Sequence, residues 1–262
     1  MKLDVDGREV FATTGGADFD PAKPAVIFLH GAGFDRTAWR LQTRWFAHHG
    51  RSVLAVDFPA HGRSAGPALG SIAAMADWTA QVIAAAGLKT AALVGHSMGA
   101  LVALDCAARH GDRVRAIGLC GVATEMPVHP EMLESAKANT LKVEELMTFW
   151  GIGGALHKGG MVSPGLWLRR ESLAVLSANQ PGVIHNDLTA CNAYKDAAAC
   201  APSVKCPTVL VLGDGDLMTP ALKAKPLAAA IAGAKTVVIP NCGHFMMVER
   251  PDETLEALQA YV

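Results

Sequence analysis

The sequence predicts an α/β protein: a doubly wound, mostly parallel sheet with a helical lid insertion. Three observations predict it. Short apolar runs alternate with segments of helical length along most of the 262 residues. Those runs lack polar alternation, as expected of strands covered on both faces. One long stretch, residues 122–203, contains no convincing strand.

The elements follow in order. Lys2 to Val5 and Glu9 to Thr13, joined around Asp6-Gly7, read as an antiparallel hairpin at the sheet edge. Strands are expected at Ala25 to Leu29, Val53 to Val56, Ala91 to Val94 and Val114 to Leu119, with Thr208 to Leu212 and Thr236 to Ile239 late in the chain. Each is short, rich in aliphatic or β-branched residues, and most are closed by turn formers. Helical segments are Thr37 to Ala47, Ile72 to Ala86, Met98 to Arg109, Ala221 to Ile231 and Asp252 to Tyr261, with Pro226 marking a kink or a late start. Within 122–203, breaks at Gly151 to Gly154, Lys158 to Gly160, Ser163-Pro164 and Gln180-Pro181 divide the chain, and the stretch carries Trp150 and Trp167. A structureless loop of that length does not fit a compact domain, so the stretch reads as several helices over one end of the sheet. The core is then 1–121 with 204–262, and 122–203 is an inserted lid without an independent fold.

Composition removes several classes of function. Lys+Arg 23 against Asp+Glu 24 leaves a formal charge of −1, so no basic footprint for nucleic acid and no polybasic membrane anchor is expected. Charged residues are 18% and hydrophobic residues 51%, against about 25% charged in ordinary domains. A disordered chain is excluded, and the apolar surplus must fill a core, a pocket or both. Mean hydropathy is +0.25, yet the longest stretches without Asp, Glu, Lys or Arg, Thr90 to Leu104 and Ser172 to Asn186, are too short to span a bilayer. Met1 to Val10 carries five charges and no apolar run. No signal peptide or stable membrane association is expected, and a cytoplasmic location is. Cys106, Cys120, Cys191, Cys200, Cys206 and Cys242 form no C-x-x-C pair and read as small buried hydrophobes.

Gly95-His96-Ser97-Met98-Gly99 joins a buried strand directly to a helix. A nucleophilic Ser must project from a sharp, strained turn, and glycines two positions either side keep strand and helix from colliding. The helix start also brings backbone N–H groups and a positive dipole end to where an oxyanion would form. A Ser hydroxyl needs a base, and the base needs an orienting acid. His244 follows the last strand and Leu212-Gly213-Asp214-Gly215-Asp216 ends the preceding one, so a base and two candidate carboxylates reach the same carboxyl edge of the sheet. The chain order Ser, Asp, His fits this architecture.

With His30-Gly31, the turn from Asp57 to Ser64, the Ser97 elbow, Gly213 to Pro220, and Gly243-His244 backed by Glu249-Arg250-Pro251, the chain resembles the α/β-hydrolase superfamily in its lid-bearing branch of small serine esterases. The resemblance covers nearly the whole chain. It implies a catalytic set of Ser97, Asp216 and His244, with Asp214 as a turn-capping or solvent-facing residue. It further implies an oxyanion hole from the N–H groups of Ala32 and Met98, with Gly33 as the alternative to Ala32 because His30-Gly31-Ala32-Gly33 carries an extra Gly. Ala60 departs from the family, where Gly commonly precedes the His-Gly pair.

Other histidines receive structural roles: His30 and His61 as loop organisers, His96 as a packed elbow residue, His48, His49 and His110 at helix ends. His129, His157 and His185 lie on the lid without metal-ligand spacing. No G-x-G-x-x-G or P-loop is present, and no cofactor or metal is expected. Related enzymes that open epoxides or displace halide use an Asp nucleophile and lid tyrosines or a Trp after the nucleophile. Here the nucleophile position is Ser97, Met98 follows it, and the tyrosines are Tyr194 and Tyr261. The expected activity is therefore hydrolysis of carboxylic esters of small to medium, largely apolar molecules through an acyl-enzyme. Alternatives on the same frame are carbon–carbon bond hydrolysis, enol-lactone opening, cofactor-free perhydrolysis or acyl transfer, and a non-catalytic ligand receptor is a third class. The carbon–carbon and lactone cases call for polar lid groups, which Arg169 and Arg170 could supply. Met98, Met218, Met246 and Met247 flank motif positions, where they either pack in the core or lend a pocket flexible thioethers.

Overall fold

A computed structural model describes residues 1–154, 156–158 and 167–262, the side chain of Lys158 excepted. Of the expected breaks, Ser163-Pro164 and all of Lys158 to Gly160 after Lys158 lie outside the described residues. The strands are β1 (Lys2–Val5), β2 (Arg8–Thr13), β3 (Ala25–Leu29), β4 (Ser52–Val56), β5 (Ala91–His96), β6 (Val114–Cys120), β7 (Thr208–Gly213) and β8 (Lys235–Ile239). They form one sheet in the order β1-β2-β4-β3-β5-β6-β7-β8. β1 and β2 are the antiparallel hairpin, and every pairing from β4 to β8 is parallel.

Helices α1 (Arg40–His48), α2 (Ile72–Ala85) and α3 (Met98–Arg109) follow β3, β4 and β5. The segment between β6 and β7 contributes α4 (Pro130–Lys137), α5 (Leu141–Gly151), α6 (Leu168–Leu176), α7 (Val183–Ala193) and α8 (Ala197–Cys200). α9 (Lys225–Ala230), α10 (Met246–Glu249) and α11 (Pro251–Gln259) complete the chain. α2 packs with α3, and α1 with α11, which covers the two faces of the sheet. Pro226 stands in the first turn of α9, after a 3₁₀ turn at Ala221–Ala224, so it marks a late start.

β3, β4, β5 and β7 are buried at every position, as their unbroken apolar runs require. β8 corrects the expectation of cover on both faces. Its first four residues are exposed or half-buried, with Val238 50% exposed, because it is the outermost strand and only its inner neighbour β7 pairs with it. Cys200 and Cys206 are likewise only half-buried, whereas the other four cysteines are buried.

The far end of the insertion is fastened to α3. Tyr194 donates its hydroxyl hydrogen to Asp105 Oδ2 at 2.8 Å, and Asp105 Oδ1 takes Arg109 Nε. A carboxylate that is only 2% exposed is thereby satisfied on both oxygens. None of the described helices is long and apolar enough to cross a membrane.

Candidate active site

Parallel register brings the carboxyl ends of β3, β5 and β6 level: Leu29 pairs with Gly95, and Gly95 with Leu119. The loops leaving this edge carry all five residues singled out by the sequence.

Ser97 turns between β5 and α3 with φ 52° and ψ −115°, a positive φ that a residue with a Cβ adopts only under constraint. The constraint is steric. A Cβ on Gly95 would stand 2.0 Å from the Gly99 carbonyl oxygen, and one on Gly99 would stand 2.4 Å from that of Leu29. Both glycines are therefore required for strand, elbow and helix to approach this closely. The Ser97 N–H is spent on the Cys120 carbonyl at 2.9 Å.

β7 and β8 deliver the other two groups. Their exit loops are held together by Asp214 N–H on the Ile239 carbonyl and Gly215 N–H on the Cys242 carbonyl. His244 donates from Nδ1 to Asp216 Oδ2 at 2.7 Å. Asp216 also accepts from the Met218 and Thr219 N–H groups and the Thr219 hydroxyl. Burial raises the Asp216 pKa, but the imidazole and these donors outweigh it and hold the carboxyl down at about 2. A proton fixed on Nδ1 leaves the Nε2 lone pair free to receive one. That atom is buried and has no hydrogen-bond partner among the described residues, and His244 and Ser97 line one cavity. Asp214 is exposed and accepts from the Cys242 N–H at 3.2 Å, which makes it the turn-capping carboxylate.

Neither the Ala32 N–H nor the Met98 N–H has a hydrogen-bond acceptor among the described residues. The Gly33 N–H, the alternative to Ala32, is already committed to Asp187 Oδ2 at 2.9 Å. His30 supports the same loop, donating from Nδ1 to the Gly31 carbonyl and accepting the Phe58 N–H on Nε2. It is neutral, its pKa pushed down to about 3 by burial and by the neighbouring charge of His61. His61 meets an acceptor on each ring nitrogen, the Pro59 carbonyl at 3.1 Å and Asp187 Oδ2 at 2.8 Å, so both carry hydrogen and the ring is an imidazolium. Burial opposes that charge, and the Asp187 carboxylate overcomes it, raising the pKa.

His96 donates from Nε2 to the His244 carbonyl at 2.9 Å, tying the elbow to the histidine loop. Glu249 clamps that loop from behind, accepting N–H bonds from Gly153, Gly243 and Phe245. The motif Glu249-Arg250-Pro251 was visible in the sequence, but not this clamp. Thr219 was missed also, although its place three residues after Asp216 is the spacing at which a side-chain oxygen captures turn N–H groups.

The cavity beside Ser97 measures about 530 Å³, within the range of small-molecule sites. Its methionines are Met126, Met132, Met147 and Met218. Of the four flagged in the sequence only Met218 lines it; Met98, Met246 and Met247 are core residues no more than 1% exposed. The other three come from the insertion, where no motif pointed to them. Trp150, Leu188 and Phe245 extend the apolar wall, while Arg169 and Arg170 are exposed on α6 and do not line it.

The comparisons agree with this fold. The family described as "Alpha/beta hydrolase family" matches the chain over residues 26–257. The chain belongs to that family. Its sequence is 24% identical over 243 residues to (E)-2-((N-methylformamido)methylene)succinate hydrolase of Acinetobacter baylyi, spanning 90% of this chain and 89% of the relative. It is 29% identical over 253 residues to a pimeloyl-[acyl-carrier protein] methyl ester esterase of Chromobacterium violaceum, spanning 91% and 94%. The crystal structure of the enol-lactonase from Burkholderia xenovorans superposes with a TM-score of 0.89 at 21% identity, covering 99% of this chain and 98% of that one. This α/β hydrolase thus has relatives that act on different bonds within a shared fold.

Proposed function

We propose that this α/β hydrolase cleaves carboxylic esters of small to medium, largely apolar molecules by way of an acyl-enzyme. The observation that carries the reading is the pairing of a Ser97 elbow and an Asp216-oriented His244 with a cavity walled by methionine, tryptophan, phenylalanine and leucine. Ser97 Oγ passes its proton to His244 Nε2 and attacks the ester carbonyl carbon. The carbonyl oxygen becomes an oxyanion held by the Ala32 and Met98 N–H groups. Collapse breaks the bond to the alcohol oxygen, which takes the proton back from His244. Water then attacks the acyl-enzyme with His244 again as base, releasing the acid and restoring Ser97. The helices between β6 and β7 serve as the lid, their methionines adapting to acyl groups of different shape.

The esterase relative in Chromobacterium violaceum supports ester chemistry. Arg169 and Arg170, the polar lid groups expected for the carbon–carbon and lactone alternatives, are exposed and do not line the cavity, so any polar recognition there falls to Glu125 and His129 of the insertion and to Lys223. A panel of nitrophenyl esters varied in acyl length and polarity, with lactones and diketones included, tests the reading. Neutral short- and medium-chain esters are expected to be preferred, with Ser97→Ala inactive and unlabelled by a fluorophosphonate. Undiminished ester cleavage by Ser97→Ala would sink it.

A further inference from the structure

The peptide unit after Ala32 is gripped from above by the insertion. Gly33 has φ +67°, and a Cβ there would meet Leu176 Cδ2 at 2.9 Å and Ile184 Cγ1 at 3.0 Å, so α6 and α7 lie directly on its backbone. Its N–H donates to Asp187 Oδ2 on α7, and its carbonyl accepts from Asn179 Nδ2 at 2.6 Å. The same Asp187 oxygen receives His61 Nε2–H. Asp187 is completely buried and so is paired rather than solvated. One carboxylate of the insertion therefore joins the loop after β3, the turn after β4 and α7 at a single point.

We propose that Asp187 is a positioning residue for the reaction: by holding the Gly33 N–H it fixes the Gly31-Ala32-Gly33 loop, so that the Ala32 N–H, left free, points at the oxyanion. The insertion is then part of the machinery that stabilises the transition state and not only a cover over the substrate. The inference rests on the ester-hydrolase reading and on Ala32 as oxyanion donor. Its physical basis is that an oxyanion donor contributes through placement, and a shift of about 1 Å in such a group costs on the order of a hundredfold in rate. His61 has a separate task. As the counter-charge it makes the buried carboxylate tolerable, which is a matter of stability.

The two tasks can be pulled apart. Asp187→Asn keeps a carbonyl oxygen for Gly33 and removes the charge, whereas Asp187→Ala removes both. Each variant is measured for kcat and KM with a short-chain nitrophenyl ester, for inhibition by a trifluoromethyl ketone whose adduct with Ser97 carries the oxyanion, and for melting temperature. Asp187→Ala is expected to lower kcat by about 10- to 100-fold with KM within about threefold, and to weaken the ketone by the same factor as kcat. Asp187→Asn is expected to recover kcat and ketone affinity to within about threefold while still melting lower. If Asp187→Ala does not fold, the double variant His61→Leu with Asp187→Leu, which leaves no buried charge, should show the same loss of kcat and of ketone affinity. A folded Asp187→Ala or double variant with wild-type kcat and ketone affinity overturns the proposal. Equal loss in Asp187→Asn and Asp187→Ala also overturns it, since charge and not the bond to Gly33 would then matter. Failure of the underlying reading looks different: the wild-type protein would neither turn over esters nor be labelled at Ser97, and both conclusions would fall together.

Discussion

Ala60 is held at φ 68°, a left-handed conformation that costs a residue with a Cβ about 1–2 kcal/mol. The family's usual Gly at this place is thereby explained, and so is the tension in this chain. Ala60→Gly should gain about 1 kcal/mol net, since the more flexible unfolded chain takes back part of the relief, and a urea midpoint measured at constant m-value reads it. Thr219 offers a cleaner test of the acid. Thr219→Val keeps the shape, leaves the two N–H donors to Asp216 Oδ1, and removes the hydroxyl that donates to Oδ2 at 2.7 Å and lies 3.2 Å from His244 Nδ1. We expect kcat to fall by about tenfold with KM unchanged, the size of one charge-assisted hydrogen bond at its lower end of about 1.5 kcal/mol. The positions of Ser97 and His244 were legible in the sequence because each follows a recognisable strand, while the choice of Asp216 over Asp214 came from the family resemblance; their proposed roles rest on those positions. Thr219, Glu249 and Asp187 were not legible as partners. Their bonds depend on which distant loops meet, and in Asp187 the bonded residues Gly33 and His61 are separated from it by most of the sheet's sequence.

At the scale of elements, strand-to-helix junctions were the most readable features. β3 matches its expected bounds, and α3 begins at Met98 as anticipated, because Gly95 and Gly99 leave one geometry for the crossing. Gly99→Ala is accordingly expected to be among the most damaging small substitutions in the chain. Its Cβ would press on the backbone carbonyls of Leu29 and His30, at 2.4 and 2.6 Å, which cannot swing aside as a side chain can. Loss of the cooperative thermal transition, followed by circular dichroism, is the expected outcome, and a melting temperature within a degree or two of wild type would contradict it. The insertion was legible as several helices between two strands, but without the bounds of any of them. Its helices declare themselves by contacts with the core, of which the most consequential end α5. There the Gly151 carbonyl accepts the His244 N–H at 2.7 Å and the Gly153 N–H reaches Glu249. Glu249→Gln places an NH₂ group against backbone donors that need an acceptor. It should reduce kcat by loosening the His244 loop and lower stability by about 1–3 kcal/mol, both measurable on the purified variant.

For the molecule as a whole, the buried titratable groups divide into two sets with opposite pH dependence. His30 and His96 are neutral in the fold, pushed down chiefly by burial, His30 to about 3. Below about pH 6.5 the unfolded chain binds protons that the folded one refuses, so stability falls as pH falls. Asp216, held at about 2, extends the loss below about pH 4 for the same reason. His61 has the reverse sign. Its folded pKa is raised, so its contribution is complete below about 6.5 and is lost as pH rises through the folded value. Asp57 and Glu249 are raised by burial and share that sign, over a window that opens at the ordinary carboxylate range. The two sets oppose each other between about pH 4 and 6.5, which makes the wild-type curve alone uninformative there. Differences between proteins resolve it. His30→Gln should gain melting temperature relative to wild type as pH is lowered from 7 to about 5, because it removes a group that resists protonation. The pair His61→Gln with Asp187→Asn should instead close its deficit to wild type as pH is raised from 7 to about 9, because only the wild type has an imidazolium to lose. Parallel curves for that pair and the wild type across the alkaline range would mean that His61 carries no charge in the fold. The coupling between the insertion and the loops after β3 and β4 would then be a neutral hydrogen bond and nothing more.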